Sequence, residues 1–379
     1  MAGQIIKRGE RSFIVRVFIG RDANGKRDYM NQTVKGSKKD AQALLNKLLR
    51  EKDMGTLLEP SRESLNDYLD RWLEAAAKPR LGASSYSDYE RLLRYYVRPE
   101  LGATPLQKLT ALDIQKVYAG MSARNLSPRT VQYTHRILRN ALEQAVKWRV
   151  LTHNPAQHVE LPKQVRREMD FMTDEESRRF LTAARTSPHY AFFTLLLSTG
   201  LRPSEALALR WQDVDLKRHA LRITRTVKRH GGVWLFDEPK TKKSRRVVDY
   251  PMSLNEVLLE HRAKQAELIG EGELVFSSLE GTPLHEKNIL TRYYRPLLTA
   301  AELPKEMRLY DLRHTHASLL LLAGVHPKVV SERLGHSSVV ITLDTYSHII
   351  PSLQRDGADK LDTVLFGTKK DVVEARPLN

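Results

Sequence analysis

At 379 residues, 41% hydrophobic and 28% charged, the chain reads as two or three folded domains of roughly 100–200 residues each. No apolar run approaches the ~20 residues of a membrane span, and "MAGQIIKRGERSF" lacks the apolar stretch of a signal peptide, so the expected compartment is cytoplasmic with no membrane partner. Zero cysteines exclude disulfides, thiol catalysis and cysteine-built zinc sites, while a net charge of +17 predicts attraction to a polyanion, with nucleic acid the leading partner.

The first 35 residues alternate as strands do: "SFIVRVFIG", a turn at "RDANGKRD", then "YMNQTVKG". This is a hairpin, and "SKKDAQALLNKLLREKDMG" after it is a helix with Ser37 as N-cap and Gly55 as its stop. Residues 1–56 carry 13 Lys and Arg against 6 Asp and Glu. The sheet's Arg11, Arg16, Arg21, Lys26 and Arg27 either line a DNA groove, since a β-ribbon fits the major groove, or form a solvated polar face.

"LLEPSR" reads as a linker, and residues 61–155 as a four-helix module. Its first helix, "SLNDYLDRWLEAAA", places Leu65, Tyr68, Leu69, Trp72 and Leu73 on one stripe, and further helices are predicted over 84–98, 110–121 and 127–149. In the last, Ser127 caps, Pro128 takes the first turn, and Val131, Leu138, Leu142 and Ala145 are the buried side. Arg129, Arg136, Arg139 and Lys147 are candidates for phosphate contact, against the alternative of a solvated charged face.

Two prolines and a basic run in "HNPAQHVELPKQVRREMDF" predict a linker over 156–169 and a new domain over 170–366, leaving 367–379 as a flexible tail. That domain is expected to hold helices at 173–185, 188–199 and 203–210, a strand-rich stretch from 214 to 250, and helices to about 365. The fold class is thus mainly α with small β elements (α+β).

Taken one at a time, its chemistry-bearing residues are ordinary. In "STGLRPSEALALRW", Arg202 enters a helix with Pro203 at the first turn and Glu205 on the same face, where a local ion pair is the default. Lys240 precedes the turn "TKKS" after a Gly-Gly hairpin, and most hairpin lysines are solvated. In "RLYDLRHTHASLLLLAG", Arg313 lies on a helix whose run Leu319 to Leu322 is expected to be buried, so its charge needs a partner or a ligand. "ERLGHSS" puts His336 at a helix start, where a lone histidine usually caps or packs, and "TLDTYSH" carries Tyr346. The pair Asp213 and Asp215 in "DVD" looks like turn chemistry rather than a metal site, and there is neither a Walker-type loop nor an HExxH motif, so no metal and no cofactor is expected.

The order and spacing of these residues change their reading. Arg in TGLRxSE, Lys in PKTxxS, Arg in xDLRHT, His in LGHSS and Tyr ten residues later resemble the ordered signature of the tyrosine recombinases, the phage and transposon integrase family. The resemblance spans essentially the whole chain: 170–366 is similar to the catalytic domain, 61–155 to the helical core-binding domain with its "NPA" exit, and 1–56 to a three-stranded arm-binding domain.

That resemblance implies a site-specific recombinase acting on double-stranded DNA as a homotetramer, with accessory bending or excision factors left open. Strand exchange without an energy source needs a covalent intermediate that keeps the phosphodiester energy, and a tyrosine hydroxyl supplies one. Tyr346 is the implied nucleophile, Arg202 and Arg313 the implied clamps on the phosphate, His336 a further donor, Lys240 the acid for the leaving 5′ oxygen, and Glu205 the group that orients Arg202. One departure stands out, because the family usually has histidine where this chain has Tyr310. A phenol can donate to a phosphate but, titrating near ~10, is a poor proton shuttle at neutral pH. His314 and His316 are expected on different faces, and neither is assigned the missing role. The C-terminal segment with Leu353, Leu361, Val364 and Leu365 is implied to dock on a neighbouring subunit, against the alternative that it packs on its own domain. A topoisomerase-like enzyme and a DNA-binding regulator with a degenerate catalytic domain are the rival readings.

Overall fold

The structure is a computed structural model that describes residues 3–21, 25–55, 57–58, 60–164, 170–238, 244–346 and 353–366. The chain divides into two compact units, Met1–Arg166 and Arg167–Asn379.

The first unit begins with an antiparallel sheet of β1 (Gly3–Gly9), β2 (Ser12–Arg21) and β3 (Arg27–Lys35), in that order. Alternation along β2 sends Phe13, Val15 and Val17 to one face, where with Met30 they meet Ala41, Leu45 and Leu48 of α1 (Lys38–Asp53). Ser37 caps α1 in a reciprocal box with Asp40, and Gly55 ends the turn at φ 67°. The residue pattern predicted only the hairpin β2–β3. The third strand, β1, is the one the resemblance to a three-stranded arm-binding domain implied; its sequence, "GQIIKRG", does not alternate, and it has no fully buried residue.

A second core in this unit lies among α2 (Leu65–Trp72), α3 (Ala83–Leu92), α4 (Arg98–Leu101), α5 (Ala111–Ala123) and α6 (Pro128–Lys147). Single π turns at Leu73–Ala77 and Leu93–Val97 extend α2 and join α3 to α4. Ser64, Thr110 and Ser127 cap α2, α5 and α6 through their hydroxyls. Tyr68 is fully buried and donates to the Ala141 carbonyl at 2.5 Å, tying α2 to α6. Residues 156–162, the start of the expected linker, are held on the helices. Ala156 is buried, Asn154 donates to the Arg139 carbonyl at 3.0 Å, and Gln132 donates to the Pro162 carbonyl at 2.8 Å.

The second unit is built around α8 (Tyr190–Thr199), which follows α7 (Asp174–Ala184) and precedes the short α9 (Pro203–Ala206). Ala191, Phe192, Phe193, Leu195 and Leu196 are all buried, as an apolar helix without a polar face requires. Among its described residues, the strand-rich stretch contains five strands in two sheets. β4 (Val214–Asp215), β5 (Ala220–Ile223) and β8 (Arg246–Asp249) form one sheet, and β6 (Thr226–His230) pairs with β7 (Val233–Asp237) across Gly231 and Gly232. β5 and β6 are separated at Arg225, whose guanidinium turns to the Ala208 carbonyl at 2.8 Å and to Glu273 at 3.2 Å. Then come α10 (Met252–Ile269), α11 (Glu286–Ile289), α12 (Arg295–Ala300), α13 (Asp311–Leu322), α14 (Pro327–Leu334), α15 (Val339–Tyr346) and α16 (Leu353–Phe366). The apolar run of α13 is only partly covered: Leu321 is buried, whereas Leu322 is 46% exposed. No helix among the described residues is long and apolar enough to cross a membrane.

Candidate active site

The centre of the second unit is assembled from four chain segments, and one glycine joins two of them. Gly200 ends α8 in the left-handed conformation at φ 66°, where a Cβ would come within 2.5 Å of His316 and 2.8 Å of Leu334. A side chain there would both strain the backbone and push α8 off α13 and α14. The turn it makes aims the Gly200 carbonyl at Arg313, whose Nη1 donates to it at 2.7 Å while Nη2 donates to the Leu334 carbonyl at 2.7 Å. Arg313 is 1% exposed. Burial first, and then the nearby charge of Arg202, lower its guanidinium to about 10, so it remains a cation at neutral pH.

Arg202 follows two residues after the glycine. Its Nη1 donates to Glu205 Oε1 at 2.6 Å and its backbone N–H to Oε2 at 3.0 Å, so the expected ion pair is also the helix cap of α9. Glu205 serves a second arginine. Arg246, on β8, bonds its two oxygens at 3.2 and 3.0 Å and donates through Nε to the Arg333 carbonyl at 2.5 Å. Burial raises the Glu205 carboxyl, but Arg246 and then Arg202 more than reverse this and hold it below the ordinary carboxylate range. Sequence reasoning missed Arg246. Its signal was an arginine in strand register with Val248 and Tyr250, both buried.

Gly335 closes α14 at φ 68° and leaves His336 in the turn between α14 and α15, rather than at a helix start. Its Nδ1 is 2.8 Å from Thr342 Oγ1, which fixes the ring. Burial, followed by Arg313, Arg202 and Arg246, pushes its imidazole down to about 4. Three arginines from three segments thus converge on one histidine.

Tyr346 is the last residue of α15 and is 1% exposed, packed among Ala317, Leu321, Val330 and Leu334. Its hydroxyl lies 2.7 Å from Nδ1 of His314. Burial pushes the phenol up, with the Arg313 charge opposing. The histidines of α13 do occupy different faces. His316 is buried with Nδ1 on the Leu197 carbonyl at 2.8 Å, a packing role, whereas His314 faces the tyrosine. His314 is the second residue that the sequence reading passed over. Tyr310, at the start of α13 and 37% exposed, lies beside both arginines: its phenol interacts with Arg202, and its ring centroid is 6.0 Å from the Arg313 guanidinium carbon. Lys240 lies outside the described residues.

The other candidates sit apart from this cluster. Asp213 pairs with Arg210 at 2.7 Å, and Asp215 accepts from the Lys217 and Arg218 amides at 3.1 and 2.9 Å, which is turn chemistry. In the first unit, Arg129, Arg136, Arg139 and Lys147 are all exposed on α6. The sheet's cations are spread along its length. Arg16 is on the face away from α1, bonded to Asn31 at 2.9 Å, Arg11 is in the β1–β2 turn, and Arg21, Lys26 and Arg27 cluster at the other end of β2.

Arg202, Arg246 and Arg313 thus cluster near His336, with the buried Tyr346 beside Arg313, in a mixed helical and β unit. Residues 170–352 match the phage integrase family, and residues 64–122 match the N-terminal SAM-like domain of phage integrases. A tyrosine recombinase XerC-like protein of Caldanaerobacter subterraneus subsp. tengcongensis is 29% identical over 95% of this chain and 98% of its own. Among solved structures, the Tn1549 transposon integrase in complex with a circular intermediate DNA superposes with a TM-score of 0.70 at 22% identity, over 79% of this chain and 99% of that one. A lambda integrase tetramer bound to a Holliday junction gives 0.57 at 18% identity, over 92% and 94%. The chain belongs to the tyrosine recombinase (phage integrase) family, enzymes that cleave and rejoin DNA.

Proposed function

We propose that this protein is a site-specific recombinase that cuts and reseals duplex DNA through a 3′-phosphotyrosine at Tyr346, so that a mobile element is integrated or excised. The observation that carries the reading is that Arg202 and Arg313 lie near His336 and Arg313 also lies near Tyr346, with each of the arginines and the histidine held by a separate device of the fold. A phosphodiester bound there gathers charge on its non-bridging oxygens as the fifth bond forms. Two forked guanidiniums, one of them withdrawn from water, suit that charge better than flexible ammonium groups.

In this mechanism the Tyr346 oxygen attacks phosphorus, the bond to the 5′ oxygen breaks, and the 3′ phosphate remains on the tyrosine. Arg202 and Arg313 hold the equatorial oxygens, His336 adds a donor, and Lys240 protonates the leaving oxygen. A 5′ hydroxyl from a partner duplex then attacks the phosphotyrosine and releases the enzyme. Glu205 keeps Arg202 and Arg246 in register. Tyr310, beside both arginines, acts as a donor to the phosphate.

The remaining parts of the reading concern binding. Residues 61–155 would grip core DNA, with Arg129, Arg136, Arg139 and Lys147 on phosphates, and residues 1–56 would engage separate arm sites through Arg11, Arg16, Arg21, Lys26 and Arg27. In α16, Leu361, Val364, Leu365 and Phe366 are 55–80% exposed, which supports docking of that helix on a neighbouring copy within a tetramer.

The test is covalent trapping on nicked duplexes from the regions flanking the protein's own coding sequence. The wild type should give a denaturation-resistant adduct that Tyr346→Phe lacks, and an assay with two duplexes should show exchanged strands rather than simple relaxation of supercoils. Salt-sensitive binding without an adduct in the wild type would instead mark a DNA-binding regulator.

A further inference from the structure

We propose that His314 is the base that takes the Tyr346 proton during attack, filling the acid–base role to which a phenol at position 310 is poorly suited. The proposal rests on the reading of Tyr346 as nucleophile. His314 Nδ1 is 2.7 Å from the hydroxyl that would react. With Tyr346 only 1% exposed, the hydroxyl is held against this ring rather than in bulk water. The other two histidines of the region are engaged elsewhere, His316 on the Leu197 carbonyl at 2.8 Å and His336 on Thr342 Oγ1 at 2.8 Å. His314 also stands one helical turn after Tyr310, whose ring centroid is 5.2 Å from its own, and directly after Arg313. One turn of α13 therefore carries both the phosphate clamp and the base.

The surroundings of His314 suit a group that is neutral before the reaction and charged during it. Burial holds its imidazole low, at about 4, with Arg308 and Arg313 adding to the effect and Asp311 opposing it. The other groups facing it are Tyr310, Tyr346 and, from the turn after α14, His336. The free ring thus starts neutral, and in the tautomer protonated on Nε2 its Nδ1 is the acceptor for the Tyr346 hydroxyl. When a phosphodiester anion docks on Arg313 and Arg202, the cationic field that disfavours imidazolium is offset, and the ring can accept a proton. The step balances: Oη forms its bond to phosphorus, the Oη proton passes to Nδ1, the bond to the 5′ oxygen breaks, and that oxygen receives a proton from Lys240. In the reverse step the imidazolium returns its proton to the departing tyrosine.

The experiment compares wild type, His314→Asn and His314→Ala for single-turnover adduct formation on the nicked duplex, with binding and thermal melting measured alongside. Asparagine keeps a hydrogen-bonding group near Nδ1 and cannot take the proton, so it carries the test if the alanine variant is poorly folded. We expect adduct formation to slow about 100-fold in His314→Asn, with duplex binding and melting close to wild type. A 5′-bridging sulfur at the mapped cleavage site, which needs no acid to leave, should not restore the rate. Fluorotyrosine at position 346, a more acidic nucleophile, should recover roughly tenfold of the loss. A wild-type rate in His314→Asn overturns the proposal, as does rescue by the bridging sulfur, which would make His314 an acid, or no response to the fluorinated nucleophile. An adduct that is absent in wild type, or survives in Tyr346→Phe, overturns the nucleophile reading itself.

Discussion

The cations of the two units obey different rules. In the second unit Arg202, Arg246 and Arg313 are wholly or largely withdrawn from water, and each is held by named acceptors: Glu205 for the first two, backbone carbonyls for the third. In the first unit Arg129, Arg136, Arg139 and Lys147 are exposed, as are Arg11, Arg21, Lys26 and Arg27. A buried charge tolerates one geometry, because losing a partner leaves it uncompensated in a medium of low polarity. An exposed charge costs little to move and acts through the summed field. Chemistry at a single phosphorus atom needs the first kind, whereas holding a long polyanion needs only the second.

This contrast gives a ranked set of outcomes. Arg313→Ala should slow adduct formation by about 10²–10³-fold, the loss typical of one preorganised donor at a developing oxyanion, while DNA binding measured by gel shift changes little. Glu205→Ala should destabilise the second unit by about 3–5 kcal/mol in denaturant titration, because two arginines lose their shared partner. A milder loss of about 1–3 kcal/mol is expected for Gly200→Ala, which needs a left-handed backbone and a clash with His316 relieved together.

Acid should act chiefly on the second unit. His189, His314 and His336 are held near 4 and His316 near 3, chiefly by burial. Each has a folded pKa below its ordinary value of 6.5, so the unfolded chain binds more protons and stability falls as pH drops below about 6.5. The loss is on the order of 1 kcal/mol per histidine one pH unit lower, to be read from melting curves between pH 7 and 5. The smallest effect belongs to Arg136→Ala with Arg139→Ala. Stability should stay unchanged, and the slope of log affinity against log salt should become shallower by about 0.9 for each phosphate no longer neutralised. A large loss of folding from that pair would break the distinction between the units.

The same contrast explains what could be read from sequence. Local signals were sufficient where the structure is local. The Ser37–Asp40 box, the Ser127–Pro128 start and the Arg202–Glu205 pair involve residues within three positions and appear as expected. The motif order singled out Arg313, His336 and Tyr346, which the fold supplies from α13, the turn after α14 and the end of α15. Partners distant in the chain were not legible. Arg246 reaches Glu205 across 41 residues, and His314 meets Tyr346 across 32, through the packing of α13 against α14 and α15. Within the expected linker the same limit applies: two prolines suggested a break, while Asn154, Gln132 and Gln115 have partners that only tertiary structure supplies. The exposed cations were found by counting charge, yet their division between opposite ends of the sheet follows from register.

The most direct test of the central claim is to locate the DNA on the protein. The adduct formed on a nicked duplex would be digested with nuclease and protease, and the modified peptide sequenced by mass spectrometry. The expected product is a nucleotide joined through its 3′ phosphate to Tyr346 and to no other residue. Attachment at Tyr310 or any other side chain, or no modified peptide from a protein that binds the same duplex, would contradict it.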